Sequence, residues 1–224
     1  MEEIVIRTAT IADIPFLVET IIEAEKSGTD RLSYSTIFGL SEAMVAKYLE
    51  EMLLEEIDGC ELSVSSFLVA EVNGVVAAAL SAWIEGDQGI SSTQLKGNLL
   101  NFVLPKENIA KAALVNSLIS EIHIEYTPNS IQIGAGYVSK EHRGKKLLGI
   151  LNDEIINRLS KSKPDVSEVY AQIFSCNTPS IKTYEKANFK VIMTQEAKNQ
   201  EIINYLPSNK KILLKKQLNT NDKE

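Results

Sequence analysis

The chain has 224 residues, 44% hydrophobic and 24% charged, with 30 acidic side chains against 23 basic ones and a formal net charge of −7. That length suffices for a substantial hydrophobic core, in one large domain or two small ones. The negative balance disfavours nucleic acid and anionic membranes as partners, and no run approaches the roughly 20 apolar residues of a membrane-spanning helix.

The opening Met1-Glu2-Glu3 is acidic and has no basic region leading into an apolar stretch, so no signal peptide is expected. Cys60 and Cys176 stand far apart and form no framework, which fits two thiols in a reducing, cytoplasmic compartment. With His123 and His142 as the histidines, no metal site is expected.

Ile4-Val5-Ile6-Arg7 alternates into a short first strand. Asp13 should cap a helix running through Phe16, Leu17, Ile21 and Ile22, with Pro15 tolerated in its first turn. Ser41 should cap a second helix whose apolar face is Met44, Val45, Tyr48, Leu49, Met52 and Leu53. A strand over 67–72 then turns at Asn73-Gly74, a strong hairpin signal, into a second strand over 75–83.

The stretch 86–129 is irregular, with a Gly/Ser-rich piece and helical patterns near 95–103 and 108–120. It is long for a connection and reads as an insertion within a single domain over 1–218, followed by a polar tail over 219–224. A strand over 131–138 leads through a charged loop, Ser139 to Lys145, into a helix over 146–160. A strand over 169–174, a helix over 179–187 and closing strands over 189–195 and 211–218 complete the chain. Helices interleaved with strands and a hairpin argue for a mixed α/β sheet covered on both faces.

Two segments carry chemistry. In the first, Val138-Ser139-Lys140-Glu141-His142-Arg143-Gly144-Lys145-Lys146-Leu147-Leu148-Gly149, a strand ends in a basic turn that opens a helix. The free N–H groups and partial positive charge of a helix start suit a phosphate or diphosphate. The plain alternative is a solvated basic turn before an ordinary amphipathic helix. In the second, Asn177 should cap a helix with Pro179 in its first turn, Tyr184 near its end, and Asn188 in the left-handed conformation that stops it. Tyr184 could equally be a core tyrosine.

Taken together the two segments resemble the GNAT N-acetyltransferase superfamily. Its pattern ends a strand on an apolar residue, runs Gln/Arg-x-x-Gly-x-Gly/Ala into a helix, and later has Asn, a small residue three on, Tyr seven on and a closing Gly-Phe. Here Val138, Arg143-Gly144-Lys145, Asn177, Ser180, Tyr184 and Phe189 fall in register. The likeness covers 131–218 well and the N-terminal part loosely, and it is silent on 86–129. Three family glycines are replaced, by Lys146, Leu148 and Asn188, and Gln172 stands where many members place a catalytic Glu. Lys146 and Leu148 are tolerable if their backbones are already helical, though they narrow the approach of an acyl-CoA.

The resemblance implies a mostly antiparallel mixed sheet with helices on both faces and an acetyltransferase that uses acetyl-CoA without a metal. It implies that the pantetheine arm pairs with Gly136, Tyr137 and Val138, and that the diphosphate meets the turn Arg143, Gly144, Lys145, Lys146, Leu147, Leu148 and Gly149, with Asn177 and Ser180 nearby. A free amine would attack the thioester directly, a backbone N–H near Val138 would hold the oxyanion, and Tyr184 would protonate the thiolate. A phenol near pKa ~10 is protonated at neutral pH and lies not far above a thiol near ~8.5.

The base is left open among Glu85, Glu121, His123 and Glu125, while Trp83 and Tyr34 could line an acceptor pocket or pack the core. Cys176 reads as a small buried filler and the Lys210-Lys211 and Lys215-Lys216 pairs as solvent faces. The acidic balance suits a cationic acceptor such as a polyamine, an aminoglycoside or a peptide amine; a homodimer is compatible. Two other readings compete: a family relative that holds CoA or a partner without turnover, and an unrelated nucleotide-binding α/β domain.

Overall fold

A computed structural model describes residues 2–218, so the tail expected over 219–224 lies outside the described residues. The strands β1 (Ile4–Thr8), β2 (Phe67–Val72), β3 (Val75–Ile84), β4 (Ile131–Val138), β5 (Glu168–Phe174), β6 (Lys190–Glu196) and β7 (Lys210–Gln217) form one sheet. Its order is β1-β2-β3-β4-β5-β7-β6. Only the β4–β5 pair is parallel; the others run antiparallel. The turn between β2 and β3 has Asn73 and Gly74 at φ 52° and 80°, the geometry that matches the twist of a tight hairpin.

The helices are α1 (Ile14–Lys26), α2 (Ser33–Phe38), α3 (Glu42–Leu54), α4 (Ser92–Val103), α5 (Lys106–Ile119), α6 (Leu147–Ser162) and α7 (Thr178–Lys186). Because strand side chains alternate, β2 feeds two cores at once. Phe67 and Val69 join Leu17, Leu49 and Met52 beneath α1 and α3. Leu68, Ala70 and Val72 join Leu147, Leu151 and Tyr184 beneath α6 and α7. A strand buried on both faces needs a continuous apolar run, which is what 67–70 supplies.

Asp13 differs from its expected role. It stands at the N-cap of α1, but its side chain makes no cap bond to that helix; it closes the capping box of the preceding 3-10 turn, Ile11–Asp13, accepting from Thr10 N at 2.7 Å and Thr10 Oγ1 at 2.9 Å, and it accepts from Arg7 Nη1 at 2.7 Å. The Arg7 guanidinium, aided by Thr10 and opposed by burial, lowers the Asp13 carboxyl to about 2. Ser41 does cap α3, accepting from Met44 N at 3.3 Å. The segment α2 went unforeseen because six residues are too few to show a helical period.

The stretch 86–129 holds α4 and α5, which lie against α3 and α2 respectively, on the same face of the sheet as α1. Ser91 caps α4 through Gln94 N at 3.2 Å. Among the described residues no helix is long and apolar enough to cross a membrane.

Candidate active site

The site begins with a fault in the sheet. Between Leu80 and Ala82, two steps on β3 face three on β4, from Gly136 to Ile133, so β4 carries a bulge at Gly134 and Ala135. A bulge bends its strand and sharpens the local twist. The consequence is visible at once: β4 and β5 pair only over Ile131–Ile133 and Val169–Ala171, then separate. Beyond that point no strand among the described residues pairs with 134–138 on the β5 side, which leaves a row of main-chain donors and acceptors inside the sheet rather than at its rim.

Two glycines permit the bulge and the opening. A Cβ on Gly134 would strike Ser81 Oγ and lie 2.9 Å from Trp83 Cζ3, and one on Gly136 would lie 2.8 Å from Leu80 Cδ1 and 3.1 Å from Leu148 Cδ1.

The gap between the strands is a cavity of about 230 Å³. Leu148 and Tyr184 reach it from the α6/α7 face, Ile21 and Tyr34 from the α1/α2 face, so it runs through the sheet. Of the expected site residues, Gly136, Leu148, Asn177, Ser180 and Tyr184 line it. Tyr137 points into the opposite core, its ring 6.1 Å from that of Phe16, and Leu147 is buried under α6, so each can offer only its main chain. Asn177 Oδ1 accepts from Ser180 N at 3.3 Å and so caps α7.

The basic turn is held differently from expectation. Lys146 is not helical: it stands left-handed at φ 61° as the residue before α6, which begins at Leu147. Among the described residues no side chain caps α6, and its first intrahelical bond runs from Ile150 N to Lys146 O at 3.2 Å. The N–H groups of Leu147, Leu148 and Gly149 are therefore left to meet an anion. Lys145 is engaged by Glu2 at 2.6 Å, whereas Arg143, Gly144 and Lys146 are exposed. Leu148 does intrude, its Cδ1 crowding Gly136 on the cavity wall.

Tyr184 is buried, packs edge-on to Phe189 at 5.1 Å, and makes no hydrogen bond among the described residues. Burial pushes its phenol well above the ordinary tyrosine value. It is a proton donor at any ordinary pH.

None of the expected bases lines the cavity. Glu85 is buried but spoken for, accepting from Trp83 Nε1 at 2.9 Å and from Ser92 N at 3.0 Å. Glu121 accepts from Lys198 N at 2.7 Å and Asn199 N at 3.0 Å, and His123 pairs with Glu125 at 3.3 Å on the surface. Gln172 lines the cavity and donates to Ile124 O at 2.9 Å.

In their place the cavity holds Glu25, Glu61, Lys96 and Lys211. Lys96 and Glu61 form an ion pair, with Tyr126 Oη donating to Glu61 at 3.4 Å and Lys96 lying 5.6 Å over the Tyr34 ring. Burial works against the Lys96 charge, but Glu61, Tyr34 and Glu25 more than offset it and hold its pKa above the usual value. Tyr34, buried as the core reading allowed, also lines the cavity, and burial raises its phenol. Lys211 is no solvent-face residue: it lies over the Phe174 ring at 5.2 Å, and desolvation lowers its pKa. The sequence offered one hint of this group, since Glu25 falls four residues after Ile21 on the buried side of α1.

The model of the acetyltransferase (GNAT) family matches residues 38–189. The chain belongs to that family. Solved structures share its fold: an N-acetyltransferase from Staphylococcus aureus Mu50 aligns with TM-score 0.64 at 14% identity, over 95% of this chain and 100% of that one. A further acetyltransferase gives 0.62 at 16% identity, covering 96% and 100%. A Drosophila melanogaster polyamine N acetyltransferase gives 0.56 at 15% identity, covering 96% and 100%. No curated protein matches significantly. GNAT membership implies an acyltransferase and removes the reading of an unrelated nucleotide-binding domain.

Proposed function

We propose that this GNAT protein is an N-acetyltransferase that moves an acetyl group from acetyl-CoA to a primary amine by direct attack. One observation carries the reading: the unpaired edge of β4 and the Tyr184 phenol line the same through-sheet cavity. Bound acetyl-CoA supplies the thioester that the amine attacks. The chain supplies the rest.

The edge over 136–138 can pair with the amide groups of a pantetheine arm, as an added strand would. The first-turn N–H groups of α6, with Arg143 and Lys146 beside them, suit a diphosphate. Asn177 and Ser180 border the arm, and Gly144 and Lys145 shape the turn. A main-chain N–H near Val138 is a donor fixed before reaction and can hold an oxyanion at no reorganisation cost. Tyr184 then gives its proton to the departing thiolate; burial keeps the phenol protonated until that moment, and the charge developing on the sulfur draws the proton across.

The amine must shed a proton before attack. Glu25 makes no hydrogen bond or ion pair among the described residues, and we assign it that proton in place of Gln172, which has no basic oxygen to offer. Residues 1–218 are read as one domain whose 86–129 insertion roofs the acceptor end through Lys96. Cys60 is buried, whereas Cys176 is exposed rather than a buried filler; as free thiols both fit a cytoplasmic setting.

Free-thiol release from acetyl-CoA over a panel of amines tests this. Release with an amine, lost in Tyr184→Phe, is expected. Saturable coenzyme A binding with no release for any amine would make the chain a holder of CoA instead.

A further inference from the structure

The acceptor end of the cavity carries a charge pattern that the acetyl donor does not require. Four ionic side chains line it, two acidic and two basic. Lys96 and Glu61 neutralise one another in an ion pair whose side chains are only 28% and 16% exposed. Glu25 and Lys211 are left over. Neither makes a direct ion pair or hydrogen bond among the described residues; they act on each other, and on Lys96 and Glu61, only through space, and Lys211 has the face of Phe174 at 5.2 Å as its neighbour. The cavity wall mixes apolar Ile21, Ala24 and Ile173 with polar Ser27, Tyr126 and Gln172, and both charges are half-buried among them.

An ammonium whose counter-charges stand off from it is costly to hold in such a place, so an anion that reaches it is favoured, and a carboxylate held off in the same way favours a cation. The cluster sums to zero, so a neutral occupant with separated charges fits it best. A dicationic polyamine would set one ammonium against Lys211 or Lys96. A dianionic group would meet Glu25 and Glu61 with only one unpaired cation to balance it.

We infer that the acceptor is an aminocarboxylate, bound with its carboxylate on Lys211 and its amino group beside Glu25. This rests on the acetyltransferase reading and narrows its substrate class. Lys211 then acts as a specificity determinant: it fixes the end of the acceptor that does not react, which orients the amine toward Glu25 and the thioester.

Matched pairs test it, each an amino acid and the amine left when its carboxylate is removed: lysine with 1,5-diaminopentane, phenylalanine with 2-phenylethylamine, 4-aminobutanoate with propylamine. The readout is kcat/KM for thiol release from acetyl-CoA. The carboxylate member of the best pair should win by tenfold or more. Lys211→Gln should collapse that ratio toward one, chiefly through KM, while Lys211→Arg preserves it.

If the decarboxylated amine wins in every pair, or Lys211→Gln leaves the ratio where it was, the aminocarboxylate assignment is overturned and the acetyltransferase reading stands. Silence across the whole panel, with coenzyme A still bound, overturns the acetyltransferase reading and this inference with it.

Discussion

The two ends of the cleft are made from different kinds of sequence. In the proposed mechanism the donor end comes from two contiguous segments, 138–149 and 177–189, and would work mainly through main-chain groups, a strand edge and a helix start, with one phenol. The acceptor end gathers Glu25 from α1, Glu61 from the loop before β2, Lys96 from α4 and Lys211 from β7, and works entirely through side chains. Main-chain geometry is set by local turn and cap chemistry, so a donor end of this kind survives heavy change elsewhere. A site assembled from side chains on four distant elements depends on the whole packing arrangement, and any of the four can be exchanged to alter specificity.

Removing the Tyr184 hydroxyl should produce the largest effect and bears on the donor end alone. Tyr184→Phe is expected to lower kcat by about 10²–10³-fold, the range for losing a positioned general acid. Its melting midpoint should hardly move, because the hydroxyl makes no hydrogen bond and the ring keeps its contact with Phe189. A loss below tenfold in thiol release would mean that the thiolate leaves unprotonated, or is protonated by water.

Glu61→Gln probes the other end and should read out as stability. It leaves the Lys96 ammonium in a partly buried place without its carboxylate, a loss of about 2 kcal/mol. For a chain of this size that is roughly 4–8 °C in Tm. Acetyl-CoA affinity, measured by titration calorimetry, should not change. If affinity fell along with Tm, the two ends would be energetically one site and the contrast drawn above would fail.

Gly136→Val returns to the donor edge. Its Cβ would press on Leu80 and Leu148, and overpacking of this kind typically costs about 1–3 kcal/mol. The substituent also stands on the cavity wall, so acetyl-CoA should bind at least about tenfold more weakly, a change of ~1.4 kcal/mol. Pairing it with Leu148→Ala should recover part of that affinity, because one of the two obstructing groups is then gone.

The same contrast explains which features are legible in the sequence alone. Strand and helix periods, the Asn73-Gly74 turn, the Ser41 cap and the left-handed Asn188 at φ 67° are local, and each lies where its neighbours in sequence put it. The pairing of a basic helix start with the Asn177–Tyr184 helix is local twice over. The bulge at Gly134 and Ala135 was not legible, because it is a mismatch between two strands and leaves no mark on either alone. The acceptor charges were missed for a similar reason. Glu85, Glu121 and Glu125 looked eligible because they flank the insertion, but packing spends them on Trp83, on backbone N–H groups and on His123. Lys211, which looked like a surface residue beside Lys210, is turned inward by the register that sets it opposite Phe174.

The smallest predicted effect concerns Lys146, the one place where the donor end departs from helical expectation. A side chain at φ 61° brings its Cβ toward the following carbonyl, a cost of roughly 1–2 kcal/mol that glycine does not bear. Glycine also gains freedom in the unfolded chain, which takes back part of the benefit. Lys146→Gly should therefore stabilise by about 1 kcal/mol, seen as a rise of roughly 2–4 °C in Tm. A second cause could give the same sign, because Arg143, Lys145 and Lys146 crowd positive charge at the positive end of α6. Lys146→Ala separates the two: it removes the charge but keeps a Cβ in the left-handed conformation. If strain dominates, only the glycine variant gains stability; if both gain equally, the cost at this turn is electrostatic, and a bound diphosphate would relieve it.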